Sequence, residues 1–162
     1  MRRSVLPIAA ILLTAACSSA KAATAANADS SAGRLLTAST AFSKLSVKSA
    51  TVTGTVTAAN DPNHLLGRPN QYTSKVTFTD SRIKAADVSG TEEGAVERGG
   101  AIEVFADPAD AKARTTYIRA VTKSMPALSE YDYVHGTVLV RVSHYLTPDQ
   151  AAVYKKASDK LS

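Results

Sequence analysis

The chain has 162 residues, a formal charge of +5 at pH 7, 44% hydrophobic and 20% charged residues, one cysteine and no tryptophan. That length suits a single ordinary domain, and the composition excludes a chain that is wholly disordered or that crosses a membrane many times. A lone cysteine excludes an internal disulfide, and nothing in the composition specifies a chemistry.

The first segment reads as an export signal. Met1-Arg2-Arg3 is basic, Val5 to Ala16 is apolar apart from Pro7 and Thr14, and small residues follow. The apolar run is shorter than the roughly 20 residues that a transmembrane helix needs. At its end Leu13-Thr14-Ala15-Ala16-Cys17 resembles the lipobox of bacterial lipoproteins. The resemblance implies cleavage before Cys17 and diacylglyceryl and N-acyl groups on that cysteine as its only non-protein components. Two or three acyl chains bury enough methylene groups, at about 0.8 kcal/mol each, to hold a protein stably on a membrane. Removal of residues 1–16 takes Arg2 and Arg3 with it and lowers the formal charge from +5 to +3. Arg2-Arg3-Ser4-Val5-Leu6 also partly resembles a twin-arginine signal, so the export route stays open.

Ser18 to Gly33 contains only small and polar residues besides Lys21 and Asp29. It cannot bury enough surface to offset its ordering entropy, so 17–33 is expected to be an acylated cysteine on a disordered tether. A folded domain is expected over 34–162.

Leu35, Ala38, Phe42 and Leu45 recur at helical spacing and predict a first helix over about 34–46. Residues 47–58, rich in Val and Thr, predict a strand, and Tyr72 to Asp80 a second, with Tyr72, Val76 and Phe78 on one face and Thr73, Lys75, Thr77 and Thr79 on the other. A polar stretch over 81–100 closes on Gly99-Gly100 and leads to a third strand over 101–106. Asp107-Pro108 predicts a helix start, with Ala113, Tyr117, Val121 and Ile118 as its apolar face. After Met125-Pro126, residues 133–143 predict a fourth strand. Thr147-Pro148-Asp149-Gln150 is a capping box for a last helix, on which Val153, Ala157 and Leu161 align. The expected fold is α+β, in the order α-β-β-β-α-β-α. It is a two-layer sandwich with a four-stranded, mainly antiparallel sheet and helices packed on one face.

The connection between the first two strands, Asp61-Pro62-Asn63-His64-Leu65-Leu66-Gly67-Arg68-Pro69-Asn70-Gln71-Tyr72-Thr73-Ser74-Lys75, is the most distinctive segment. Together with Gly99 to Phe105 and Glu130 to Val134, it resembles a family of small exported proteins and lipoproteins of Gram-positive bacteria. The resemblance covers most of the 34–162 segment and implies no activity. Physically the loop reads as rigid, with two prolines and the turn-forming side chains of Asp61, Asn63 and Asn70. His64, Arg68 and Tyr72 could present a carboxylate, phosphate or sugar site, with Arg68 as a planar donor. The simpler reading, that Asp61 and Arg68 tie the loop down while Tyr72 packs in the sheet, is favoured.

Other constellations are weaker. His64, His135 and His144 lack the spacing of zinc helices, and His135 and His144, nine apart on one expected strand, fall on opposite faces, so no metal site is expected. G-x-S-x-G, H-E-x-x-H and Walker-type motifs are missing. Glu130 and Asp132 read as strand-start residues, with an acidic lip as the other possibility. Lys112, Arg119 and Lys123 form a basic stripe at i, i+7, i+11, available to anionic headgroups or wall polymers but equally a solvated outer face. Nucleic acid is not an expected partner, since basic motifs studded with aromatics are missing. The sequence therefore predicts a lipid-anchored protein on the extracytoplasmic side of the cell membrane, acting as a non-catalytic binding or interaction module. Its expected partners are membrane lipid through Cys17 and an envelope protein, glycan or small ligand. An envelope hydrolase using the 61–75 loop, or an inhibitor of another exported protein, is the alternative.

Overall fold

The computed structural model describes residues 36–161, which fall within one compact unit. The signal peptide, Cys17 and the 17–33 tether lie outside the described residues. The elements run α1 (Ala38–Leu45), β1 (Ala50–Thr55), β2 (Ser74–Asp80), β3 (Gly99–Val104), α2 (Pro108–Ser124), β4 (Glu130–His135), β5 (Val138–Ser143) and α3 (Pro148–Ser158), with short 3₁₀ turns before β3 and β4. The α+β class and the antiparallel sheet are as expected. The sheet has five strands in the order β1-β2-β3-β5-β4, every pair antiparallel.

The fifth strand arises because residues 130–143 form a hairpin and not one strand. Register pairs His135 with Val138 and Glu130 with Ser143, and Gly136, at φ 54°, makes the turn between them. Glycine adopts that left-handed conformation without steric cost, which suits a two-residue hairpin loop. His135 and His144 consequently lie at opposite ends of the hairpin, His135 beside the turn and His144 against the Ser129 carbonyl at 2.8 Å.

Helix boundaries follow local chemistry. Thr37, Asp107 and Thr147 each accept a backbone N–H as N-cap, and Thr147 and Gln150 complete the expected capping box. Pro108 and Pro148 open α2 and α3, where a missing N–H costs nothing. Helix α2 stops at Met125 because Pro126 follows.

One face of the sheet carries Val76, Phe78, Ile102, Val104, Val138, Val140 and Val142, covered by Ala38, Ala41 and Leu45 of α1 and Ala151 and Tyr154 of α3. Asp80 fastens α3 to this face. It accepts from the Tyr154 hydroxyl at 2.6 Å, from Ser49 at 3.0 Å and from the Arg82 guanidinium at 2.9 and 2.6 Å.

The other face is not left to solvent. Helix α2 lies across it, turning inward Ala111, Thr115 and Ile118 and not the expected Ala113, Tyr117 and Val121. Ala111 and Ile118 pack with Tyr72, Phe105 and Leu139, and Leu65 and Leu66 of the 61–75 loop close the cluster. The helices thus occupy both faces, α1 and α3 on one and α2 on the other. Helix α3 is also rotated from its expected setting, with Ala151, Tyr154 and Ser158 buried and Val153 exposed.

Candidate functional site

Beneath α2 the sheet carries charge. Strand alternation sends Lys75 (β2), Glu103 (β3), Arg141 (β5) and Glu130 and Asp132 (β4) to the α2 face, and register sets Lys75 opposite Glu103 and Asp132 opposite Arg141. Glu103 is fully buried and gathers three cations. Lys75 Nζ lies 3.1 Å from Oε1, Arg141 Nη1 3.1 Å from Oε1, and Arg114 Nε, reaching down from α2, 3.2 Å from Oε2. Arg141 also grips Glu130 in a bidentate pair at 2.7 and 2.8 Å. Arg119, further along α2, donates to the Asp132 carbonyl at 3.0 Å and stands 3.6 Å from its carboxylate.

This arrangement sets the charge states. Burial alone would raise the Glu103 carboxyl, but Arg141, Lys75 and Arg114 outweigh it and hold it below its ordinary value. Burial would likewise lower Arg141, but Glu130 and Glu103 raise it and fix the guanidinium as charged. Asp132 goes the other way. Burial and the neighbouring Glu130 carboxylate push it up, against the weaker pull of Arg141 and Arg119. Its Oδ1 is buried and without a hydrogen-bond partner among the described residues.

Above this floor opens a groove of about 820 Å³. Lys75, Arg114, Arg141 and Glu130 line it from below, and Tyr117, Val121 and Leu128 supply an apolar wall. Tyr117 and Leu128 are 61% and 45% exposed, large apolar side chains with little else covering them. Segment 94–97 and, from the long loop, Pro62, Asn63, Leu65, Asn70 and Gln71 form the remaining sides. The volume falls in the range of small-molecule pockets, roughly 300–1,000 Å³.

The loop residues singled out from the sequence divide between two sides. Asp61 is the loop's internal knot: it accepts from the backbone N–H groups of Asn63, Leu65 and Leu66 at 3.1, 2.8 and 2.8 Å and from the Tyr72 hydroxyl at 2.7 Å. Burial opposes its ionisation, but the Tyr72 and backbone hydrogen bonds prevail and hold it at about 2. Tyr72 is buried, and Lys75 Nζ lies 5.2 Å from its ring centroid. Asn63 lines the groove. His64 and Arg68 do not, and face a separate recess of about 240 Å³ with Ala58, Asp61 and Leu66. Asp61 therefore ties the loop as expected, but to Tyr72 and the backbone, while Arg68 is exposed. Both Asp61 oxygens are committed, so Asp61 is not free to act as a base or to orient His64.

The basic stripe of α2 is interrupted. Lys112, Arg119 and Lys123 are all exposed, and among the described residues only Arg119 is also committed within the domain, to Asp132 of β4. The residues that the sequence reading missed are Lys75, Glu103, Arg114 and Arg141, together with the buried role of Glu130 and Asp132. A signal for them existed: Leu139, and Phe105 just past β3, are large apolar residues on the face that alternation assigns to solvent, and Tyr72, expected beside Val76 and Phe78, precedes β2 and packs on this side instead.

Among the described residues no cluster of His, Cys, Asp or Glu could hold a metal ion, and no helix is long and apolar enough to cross a membrane. Compared with known families, characterised proteins and solved structures, the chain matches no family, no such protein and no such structure.

Proposed function

We propose that this chain is a lipid-anchored envelope protein, acylated at Cys17 and held on the extracytoplasmic side of the cell membrane, whose domain binds a ligand in the α2 groove without transforming it. The observation that carries the binding reading is the charged floor. Replacing a buried ion network by apolar side chains of similar volume is often neutral or stabilising, so folding alone gives weak reason to place five charged groups across four strands. Under an open groove with apolar walls, fixed donors and acceptors orient a ligand while the walls supply affinity. The lipobox resemblance and the polar 18–33 segment support the anchored setting, and the wider resemblance to small exported lipoproteins agrees with it.

The test is to immobilise the chain and a groove-filling variant, Ala113→Trp, pass envelope extract over each and identify bound small molecules by mass spectrometry. Ala113 is exposed at the groove wall, so the larger side chain blocks the groove and leaves the core intact. Enrichment of a ligand on the parent chain and its loss on the variant is the expected result. Identical profiles would reject the groove as the binding site. For the anchor, Cys17→Ala is expected to abolish labelling by radioactive palmitate and to leave the chain unprocessed or free in the medium. Unchanged labelling and membrane fractionation would rule out acylation.

A further inference from the structure

The geometry points to the class of ligand: a small monocarboxylate with an apolar body, its carboxylate held by Lys75 and Arg114 and its body lying along α2. This inference rests on the groove being the binding site.

The donors on the groove floor outnumber their acceptors. Arg114 spends only Nε, on Glu103, and neither of its terminal amino groups has an acceptor among the described residues. Lys75 has one carboxylate partner, Glu103 Oε1, for three N–H donors. Their side chains are only 11% and 7% exposed, and that remaining exposure lies in the groove they line. Among the described residues Asp132 Oδ1 is the one buried side-chain polar atom without a partner, so the terminal amino groups of Arg114 stay open to the groove and can take an acceptor that enters it. Arg141 differs, since Nε, Nη1 and Nη2 are all engaged by Glu130 and Glu103. The open capacity is therefore local to Lys75 and Arg114, where a carboxylate, with two oxygens and about four lone-pair sites, would satisfy it.

Charge limits the anion. Glu103 touches both donors, and Glu130 and Glu97 line the same groove, so a monoanion is accommodated where a dianion such as phosphate would meet three carboxylates. Shape limits the rest. Arg114, Tyr117 and Val121 lie on one side of α2, and at 1.5 Å per residue the step from Arg114 to Val121 is about 10 Å, the length of a short acyl or arylalkyl chain. Exposed Tyr117, whose ring lies 5.8 Å from the Arg114 guanidinium carbon, and Leu128 beyond it offer that chain its apolar contacts. A peptide is disfavoured because the two donors sit on β2 and α2, and β2 is already paired on both sides, which leaves no strand edge beside them for a peptide backbone.

The test uses the full-length chain, made without acylation as Cys17→Ala, and isothermal titration with octanoate, octylamine, octanol and octyl phosphate. Octanoate is expected to bind at least about tenfold more tightly than each of the others, in line with charge-assisted hydrogen bonds to two buried cations. Arg114→Gln is expected to weaken octanoate about tenfold or more and to leave octanol unchanged, whereas Tyr117→Ala weakens both alike. Octanol, octylamine or octyl phosphate binding as tightly as octanoate would overturn the inference, as would octanoate binding unaffected by Arg114→Gln. The probe comparison needs no groove variant, so it stands even if Arg114→Gln fails to fold. Loss of octanoate selectivity alongside Ala113→Trp-sensitive capture sinks this inference and keeps the groove. Capture that Ala113→Trp does not change sinks the groove reading itself.

Discussion

The Tyr72 hydroxyl lies 2.7 Å from both carboxylate oxygens of Asp61, and the same carboxylate accepts three backbone N–H groups of its own loop. An eleven-residue excursion is thereby closed on itself by one side chain and pinned to the buried Tyr72 ring, which in turn packs edge-on against Phe105. Positive φ at His64, Gly67 and Asn70 shows how tightly the chain is folded around that carboxylate. Asp61→Ala is expected to cost roughly 3 kcal/mol, since it strands the buried Tyr72 hydroxyl and three partly buried backbone N–H groups, and Tyr72→Phe about 1–2 kcal/mol. Urea denaturation measures both. A loss below about 0.5 kcal/mol for Asp61→Ala would mean that the loop is held by its apolar contacts instead.

Acid should unfold the domain through two carboxylates. Burial would raise both, but hydrogen bonds from Tyr72 and the backbone hold Asp61 at about 2, and Arg82 and Tyr154 hold Asp80 at about 2. A carboxyl whose folded pKa lies below its unfolded value of 3.8 contributes stability above 3.8 that is lost as pH falls through the folded value. Each buried group is expected to contribute about 2 kcal/mol in this way. Unfolding free energy measured from about pH 5 to 2 should fall steeply, and Asp61→Asn and Asp80→Asn should each flatten the slope. An unchanged slope in either variant would refute that residue's share.

Much of this architecture is legible in the sequence because local chemistry fixes it. Asp107-Pro108 and Thr147 with Gln150 announce the starts of α2 and α3, and the Val-rich alternation of β2, β3 and β5 marks the face that α1 and α3 cover. Gly136 hid the hairpin because a glycine inside an apolar run reads equally well as part of a strand until register is known. The charged floor was hidden for a deeper reason. Lys75, Glu103 and Arg141 each look like an outward polar residue on a half-exposed strand, and only strand order brings them together from positions far apart in the chain. Helix α2, with few large apolar residues, likewise reads ambiguously, and its charged Arg114 proves to be an inward-facing residue.

Gly100 is where α+β packing leaves no room for a side chain. A Cβ there would collide with the Arg141 carbonyl oxygen and with the Phe78 ring. Neither can yield cheaply, because Arg141 holds Glu103 and Glu130 while Phe78 stacks on Tyr154. Gly100→Ala is expected to cost at least about 3 kcal/mol through overpacking and backbone displacement. Gly90→Ala is the matched control, since nothing lies near its position, and it should shift the thermal midpoint little. A stable Gly100→Ala protein with its β3–β5 amide protection intact would contradict this close approach.

Asp132 should make the domain less stable as pH rises, opposite in sign to Asp61 and Asp80. Its carboxyl is pushed up to about 7 by burial and by Glu130, with Arg141 and Arg119 opposing. Protonated, it can donate to Glu130; ionised, it leaves a buried Oδ1 without any donor. Below its unfolded value of 3.8 both states carry the proton and nothing is lost, but between 3.8 and about 7 the folded state binds more protons than the unfolded one, so the unfolding free energy declines with pH. Asp132→Asn fixes a neutral side chain that can still donate to Glu130. Its loss is the ion pair to Arg119, whose side chain is 64% exposed, a contact worth less than about 1 kcal/mol. The variant is therefore expected to match the parent near pH 4 and to exceed it by about 2–3 kcal/mol near pH 8, read from urea denaturation at each pH. If the parent is the more stable of the two near pH 8, Asp132 is ionised in the fold and its contact with Arg119 outweighs the repulsion from Glu130.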